Sequence, residues 1–312
     1  MKFKPPFSGI ITATVASMRD DLSLDEIDLQ LHASRVASYP GITGILCNGH
    51  TGEILSLTRE ERARVIALTR QAIGSKVPII AGVHGQSTAE SAQALEDAEK
   101  AGATAAVIFT PFSFSRGAFS YPDVVLGYYR DLTERTNLEL MFMQYPPHGG
   151  MQMPDDLLLQ VANLPHIIGL KQAVGDIGVY EAEYRAIQNL DKPFSYLTAS
   201  EGALFTSFIV GCDGALIGFA NIPEPIVALW DAAQSGDLNR ARAANDAFYD
   251  LSRAIYGLPS FRWSARLKYA LYKLGRIKRP AIRPPLQPVT STEAQRIDRA
   301  LEKMNLPALA IA

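Results

Sequence analysis

The chain has 312 residues, of which 47% are hydrophobic and 20% are charged, and its formal net charge is −2 at pH 7. This length fits one large α/β barrel or two ordinary domains, and the composition is that of an ordinary globular protein. A charge so close to zero provides no general attraction to nucleic acid or to an anionic membrane surface, so neither is expected as a partner. No apolar run in the sequence is long enough to span a bilayer.

Short apolar segments alternate with segments of helical spacing through the first 233 residues, making eight β–α units. Strands that are apolar on both faces are typical of a parallel sheet covered by helices. Eight such units predict a (β/α)8 TIM barrel. A doubly wound sheet is the alternative, but no glycine-rich phosphate fingerprint follows the first strand. The predicted strands are residues 9–14, 44–47, 77–81, 105–109, 138–143, 167–171, 194–197 and 214–218. The predicted helices of the barrel are residues 24–39, 58–73, 87–101, 122–135, 154–163, 179–190, 201–210 and 223–233.

Only helical patterns follow the eighth unit, at residues 237–256, 261–274 and 291–304. We therefore divide the chain into a catalytic barrel domain, residues 1–233, and a C-terminal helical domain, residues 234–312. Basic residues between positions 262 and 279 recur at helical spacing and are expected to form a solvated helix face.

Local signals refine this outline. Ser23 is expected to cap the first helix, and Thr58 with Glu61 has the spacing of a capping box. The two cysteines, Cys47 and Cys212, lie in apolar strand-like runs and provide neither a disulfide framework nor a CxxC site. Because the first residues also lack the apolar core of a signal peptide, a cytoplasmic location is expected.

Lys171 is the most informative residue, because it ends a buried strand at the side of the barrel where active sites lie. Burial disfavours the charged ammonium, and a neutral lysine amine is a nucleophile that forms a Schiff base with a ketone or an aldehyde. The alternative is a lysine that extends its charged end to solvent.

A second strand-end loop has the sequence Gly49-His50-Thr51-Gly52-Glu53. Its glycines permit a tight turn that exposes backbone N–H groups beside a threonine hydroxyl. Several donors at one place suit a small carboxylate. The pattern is weak alone and gains weight from its position in the second unit of a barrel whose sixth unit carries a lysine.

From residue 8 to about residue 275 the chain resembles the class I lyases typified by dihydrodipicolinate synthase and N-acetylneuraminate lyase. The resemblance rests on the loop 49–53, on residues 78–82 with 88–90, on the Gly169-Leu170-Lys171 strand, and on residues 211–218 followed by Asn221. It implies a homodimeric or homotetrameric barrel with a C-terminal helical domain and no cofactor or metal. It also implies that Lys171 forms the Schiff base with a 2-oxo acid whose carboxylate lies on Thr51, with Gly49, Gly52 and Gly218 in the substrate site.

Four positions depart from the dihydrodipicolinate synthase pattern. Met143 stands where the family has a proton-relaying tyrosine, and a thioether cannot donate or carry a proton. His50 replaces a small hydroxyl residue, Ser113 replaces a second tyrosine, and His148 replaces an arginine that binds the second substrate's carboxylate. These departures argue against that particular activity while leaving the Schiff-base step intact.

A residue other than Met143 must then transfer protons during the reaction. His50, His84 and His148 follow strands two, three and five, whose ends face one pocket, and imidazole suits proton transfer near neutral pH. Unrelated loop histidines and a three-histidine metal site are the alternatives, although no HxH or HxxxH pair is present. Tyr145 and Tyr121 are further candidate donors. We expect at least one of His50, His148 and Tyr145 to lie near the Lys171 amine.

Three other polar positions are given structural roles. Glu53 is expected to favour a helix N-terminus, Ser200 with Glu201 to cap the seventh helix, and Asn221 to bond backbone as readily as substrate.

The combined prediction is a cytoplasmic Schiff-base lyase of a small-molecule 2-oxo acid, with Lys171, Tyr145 and His50 as catalytic residues and Ser113, Met143 and His148 among the substrate contacts. It would be a dehydratase or aldolase of a 2-oxo-3-deoxy or 4-hydroxy-2-oxo acid. A pyruvate-dependent condensation enzyme, a non-catalytic 2-oxo-acid sensor and a metal-dependent aldolase are the alternatives.

Overall fold

The computed structural model describes residues 3–147, 149–304 and 306. Within them, eight parallel strands form a closed barrel in chain order. The predicted TIM barrel is confirmed, and each strand lies within a few residues of its predicted bounds. The strands are β1 Gly9–Ala13, β2 Ile42–Cys47, β3 Ile79–His84, β4 Ala105–Phe109, β5 Glu139–Gln144, β6 Ile167–Gln172, β7 Ser195–Thr198 and β8 Gly214–Ile217.

Helices follow the strands and then continue beyond the barrel. The barrel helices are α1 Glu26–Ala37, α2 Arg59–Ile73, α3 Thr88–Lys100, α4 Pro122–Thr133, α5 Asp155–Ala162, α6 Ile177–Ile187, α7 Leu204–Val210 and α8 Pro223–Gln234. The later helices are α9 Leu238–Tyr256, α10 Trp263–Lys273 and α11 Ser291–Met304. Among the described residues, no helix is both long and apolar enough to cross a membrane.

Two predicted helix starts have different outcomes. The capping box of α2 is present, because the Thr58 side chain accepts from the Glu61 backbone and the Glu61 carboxylate accepts from the Thr58 backbone. The expected cap at Ser23 is wrong. Its hydroxyl donates to Asp21, and Asp25 caps α1 by accepting from the backbone of Asp28.

The barrel interior is filled by its own apolar cluster, separate from the larger core between strands and helices. Near the C-terminal ends of the strands this inner cluster includes Phe109 and Met143. Met143 of β5 is in register with Lys171 of β6. A side chain at Gly169 would meet Met141 and the Ser195 carbonyl at 3.0 Å, so the glycine lets β6 pack closely before Lys171.

Of the C-terminal helices, α9 packs against α8, and α10 and α11 pack against α9 and against each other. Division of the chain at residues 233 and 234 therefore stays a prediction. It falls one residue before α8 ends at Gln234.

The expected solvated basic face is wrong for its central residues. Arg266, Lys268 and Arg276 are 2%, 0% and 3% exposed. Each is paired with a carboxylate, Lys268 with Glu53 of the barrel, Arg276 with Glu224, and Arg266 with Glu293. Lys268 and Arg276 thus join the helical extension to the barrel, whereas Arg266 is paired within the extension, and burial requires a partner for each of these cations.

Candidate active site

Lys171 lies near the C-terminal end of β6 and is 7% exposed. Its ammonium lies 5.6 Å from the centroid of the Phe109 ring. Burial lowers the pKa of Lys171 to about 8, although the nearby charge of Glu201 acts in the opposite direction. A substantial neutral fraction near physiological pH follows, and the neutral amine is the form that attacks a carbonyl carbon.

The loop after β2 brings Thr51 to the opposite side of the barrel mouth. The loop turns tightly, with Asn48 and Glu53 at positive φ of 56° and 58°. A side chain at Gly52 would lie 2.9 Å from the Thr14 carbonyl, so this position requires glycine. Thr51 itself is buried, and its hydroxyl oxygen lies 2.7 Å from where a Cβ on Gly218 would stand. The structure therefore brings the loop of Gly49, Thr51 and Gly52 against Gly218.

Glu201 is a site residue that sequence reasoning placed wrongly. It does not cap α7, which begins at Leu204. Its two carboxylate oxygens instead accept from the backbone N–H groups of Gly218, at 2.5 Å, and Phe219, at 3.2 Å. Burial raises the pKa of this carboxyl to about 7, while the two backbone hydrogen bonds and the positive charge of Lys171 lower it. Glu201 follows the end of β7, and the place of active sites at strand ends in this fold was the available signal.

Tyr256, the last residue of α9, also reaches this place from the helical extension. Its hydroxyl oxygen lies 2.7 Å from the position of a Cβ on Gly218. The hydroxyl is buried and has no partner of ordinary hydrogen-bond geometry among the described residues. Burial, followed by the charge of Glu201, raises the pKa of Tyr256 well above its usual value. No sequence signal pointed to Tyr256, because a tyrosine at the end of an amphipathic helix is usually a packing residue.

His50 and Tyr145 lie together on another side of Lys171. The His50 ring centroid is 4.3 Å from that of Phe109 and 5.9 Å from that of Tyr145. Burial, followed by the positive charge of Lys171, lowers the pKa of His50 to about 3, so its imidazole is neutral. The Tyr145 hydroxyl is buried without a described partner, and burial raises its pKa, so it remains protonated.

The remaining predicted site residues have different outcomes. Met143 is buried beside Lys171 through the β5–β6 register. Ser113 is exposed in the 3-10 segment Phe112–Arg116. His148 lies outside the described residues. His84 lies at the end of β3. Its Nε2 atom is 3.0 Å from the Gln86 side-chain nitrogen, and its ring centroid is 5.0 Å from that of Phe112, with the rings tilted. Within the described part of the chain, no three His, Cys, Asp or Glu side chains are grouped to hold a metal ion.

Glu53 and Asn221 have structural contacts, and bonding to backbone was one of the two roles expected of Asn221. Glu53 does not cap a helix. It pairs with Lys268 and accepts from the Arg283 backbone at 3.3 Å. Asn221 donates to the Ala13 and Gly218 carbonyls, and its side-chain oxygen lies 2.7 Å from a His32 ring nitrogen.

Comparison with known proteins gives a consistent result over nearly the whole chain. The sequence profile of the Dihydrodipicolinate synthetase family matches residues 6–304. A 4-hydroxy-tetrahydrodipicolinate synthase of Anaplasma marginale (strain Florida) is 29% identical over 300 residues, covering 96% of this chain and 95% of its own. The enzyme of that name from Chelativorans sp. (strain BNC1) is 30% identical over 306 residues, covering 96% and 99%.

Among solved structures, the chloride-inhibited dihydrodipicolinate synthase of Acinetobacter baumannii complexed with pyruvate has a TM-score of 0.85 at 25% identity. The match covers 95% of this chain and 98% of that one. The family match and the barrel agree with the resemblance seen in the sequence. The chain therefore belongs to the dihydrodipicolinate synthetase family and is a lyase of its Schiff-base class.

Proposed function

We propose that Lys171 is the nucleophile of a lyase that joins or cleaves pyruvate and an uncharged aldehyde. The observation that carries this proposal is a buried lysine amine with a lowered pKa, facing a barrel mouth lined by Thr51, Gly218 and Glu201. The amine attacks C2 of the 2-oxo acid, the carbonyl oxygen leaves as water, and the iminium accepts the electron pair of the breaking C3–C4 bond. The relatives named above support pyruvate as the donor.

The substrate carboxylate is assigned to the loop of residues 49–53. Thr51 supplies a hydroxyl and a backbone N–H at a buried position, and the glycines on either side allow close approach of a ligand. The buried Lys268–Glu53 pair fixes the end of the same loop. A fixed carboxylate would direct C2 toward Lys171.

Replacing Thr51 with valine should weaken pyruvate binding by about 1–3 kcal/mol, because a buried hydrogen bond to a charged group is lost while side-chain shape is kept. Isothermal titration with the imine-deficient Lys171→Ala background would measure carboxylate binding alone. Thr104→Val is the matched control, since Thr104 donates to the Ile79 carbonyl at the start of β4, far from the site. Equal affinity in the Thr51 and Thr104 variants would place the carboxylate elsewhere.

We assign the aldehyde part of the substrate to the side of the site that is lined by Phe109, Met143, Tyr145 and His50, and we call it the far side. Phe109, Met143 and Tyr145 are uncharged, and His50 is held neutral by its lowered pKa. These side chains provide no cation for a second carboxylate, which supports an uncharged aldehyde. Because Met143 cannot carry a proton, we assign proton transfer at the C4 oxygen to Tyr145 and His50.

A substrate panel tests this function. The protein would be incubated with 4-hydroxy-2-oxo acids and 2-oxo-3-deoxy acids that differ only in the distal group, and pyruvate release would be followed by a coupled dehydrogenase. We expect the highest kcat/KM for an uncharged distal group. Preference for a carboxylated partner would refute the assignment of the far side, and loss of water without pyruvate release would indicate a dehydratase.

The rate at which the Lys171 amine adds to pyruvate should rise with pH. Below the Lys171 pKa of about 8 the amine is mostly protonated and unreactive, so this rate should increase about tenfold per pH unit and level off above that pKa. The groups that face Lys171 are Glu201, whose charge raises this pKa, and His50, which is neutral. Stopped-flow trapping of pyruvate across pH would report the midpoint. A midpoint near 10.5, the ordinary lysine value, would contradict the burial of a reactive amine.

Self-association and location are further proposals. Exposed Phe112, Tyr121 and Val124 lie close together in sequence after β4 and support a homodimer or homotetramer, which light scattering would detect. Cys47 and Cys212 are free thiols, which supports a reducing cytoplasm.

A further inference from the structure

The site contains two acid–base groups that the sequence did not suggest, and both lie at the imine end rather than at the far side. Glu201 follows β7 and holds the backbone N–H groups of Gly218 and Phe219. Tyr256 comes from α9, outside the barrel, and its hydroxyl stands over the same glycine. Thr51 approaches Gly218 from the loop after β2. Three separate elements therefore converge on one backbone position.

Gly218 makes this convergence possible. A Cβ at this position would lie 2.7 Å from both the Thr51 and the Tyr256 hydroxyl oxygens, closer than real Cβ contacts occur. Any side chain there would push the two hydroxyls apart. The φ of Gly218 is −74°, which every residue adopts, so the backbone conformation does not require glycine. Glycine is required at this position because the two hydroxyls occupy the space that a side chain would need.

Packing holds Tyr256 in place. Ser252, one turn earlier on α9, donates to the Glu201 carbonyl at 3.3 Å. The Tyr256 ring lies 6.0 Å from the Phe219 ring, which in turn packs at 5.2 Å on Phe248 of the same helix. The hydroxyl is buried and interacts with the Glu201 carboxyl, and it makes no hydrogen bond of ordinary geometry with the described residues. A buried donor beside a buried carboxyl, both at the same glycine, points to a role toward a ligand.

We propose that Glu201 and Tyr256 are the acid–base pair that carries protons to and from the Lys171 imine. The proposal rests on Lys171 being the nucleophile. Glu201 faces the Lys171 ammonium, the Tyr256 hydroxyl and the two backbone N–H groups.

The proton count closes between the free amine and the enamine. The neutral Lys171 amine adds to C2, its proton passes to the carbonyl oxygen, and a carbinolamine results. Tyr256 donates its proton to the departing hydroxyl and receives one from protonated Glu201, so that water leaves and the iminium and a Glu201 carboxylate remain. Loss of a proton from C3 then gives the enamine and returns Glu201 to its protonated form. No other reactant is needed.

Exchange of the C3 protons of pyruvate with deuterated water, followed by NMR, isolates these steps without a second substrate. Tyr256→Phe should slow exchange about 10²-fold or more, the usual contribution of an acid–base group, while borohydride still traps pyruvate on Lys171 at long times. Glu201→Gln should slow exchange similarly and remove the limb of its pH profile near 7. Tyr249→Phe is the matched control, because Tyr249 is an exposed tyrosine on the same helix and should leave exchange unchanged.

The melting temperature distinguishes a catalytic role of Tyr256 from a packing role. Removing a buried hydroxyl that makes no hydrogen bond of ordinary geometry with the described residues should leave the melting temperature of Tyr256→Phe equal to that of the wild type or raise it. Exchange in Tyr256→Phe at the wild-type rate would overturn the pair, as would slow exchange that merely follows a lower melting temperature. If wild-type protein is not trapped by pyruvate and borohydride, Lys171 is not the nucleophile and the function proposed above fails as well.

Discussion

Lys171→Ala should abolish both turnover and covalent trapping, because its amine lies at the barrel mouth beside Phe109 and Glu201 and is the one assigned to the imine. Wild-type protein treated with pyruvate and borohydride should gain the mass of one reduced adduct, and Lys171→Ala should gain none. The physical reason is that only a buried lysine of lowered pKa supplies a neutral amine near pH 7. Intact-protein mass spectrometry makes the measurement.

Lys192 provides the matched control for this experiment. Burial also lowers its pKa to about 8, but its ammonium donates to the Leu164 carbonyl, away from the cluster around Lys171. Lys192→Ala should therefore trap pyruvate like the wild type. If Lys192→Ala loses the adduct and Lys171→Ala keeps it, lowered pKa alone would govern reactivity and the assignment of the site would be wrong.

Lys268→Met should lower the free energy of unfolding by about 3–5 kcal/mol, the usual cost of leaving a buried ion without its partner. Both side chains of the Lys268–Glu53 pair are 0% exposed, and Glu53 would keep only its backbone donor at Arg283. The same change should weaken pyruvate binding, because Glu53 ends the loop that carries Thr51. Urea denaturation and calorimetric titration would measure the two effects.

Lys273→Met is the control on the same helix. Lys273 pairs with Asp298 at 3.3 Å, with the two side chains 43% and 31% exposed, and an exposed pair contributes about 0–1 kcal/mol. Equal unfolding free energies for the two variants would show that the barrel and the helical extension do not depend on the buried pair.

The barrel could be predicted from the sequence because its signals are local. Apolar strands, amphipathic helices and caps such as Thr58 depend on residues a few positions apart, and the structure places them where the pattern indicates. Lys171 and the Thr51 loop could be predicted for a similar reason, since active sites of this fold lie at strand ends. Neither signal was sufficient alone, and each gained weight from the position of the other in the barrel and from the family resemblance.

The missed residues depend on distant contacts. The local sequence around Glu201 is typical of a helix cap, whereas in the structure the N–H groups of the residues after β8 donate to its carboxylate. Tyr256 and Lys268 have the sequence pattern of an amphipathic helix. Nothing local shows that α9 brings Tyr256 to Gly218 or that α10 brings Lys268 to Glu53. The periodicity of a helix shows which face is apolar, and it does not show which buried charge of another element that face will meet.

The most direct test of the central claim is a crystal structure of the wild-type protein grown with pyruvate. The account predicts continuous density from the Lys171 Nζ atom to C2 of pyruvate, with the carboxylate on the Thr51 loop and the Glu201 and Tyr256 side chains beside the imine. Pyruvate bound without a bond to Lys171, or bonded to another lysine, would contradict it.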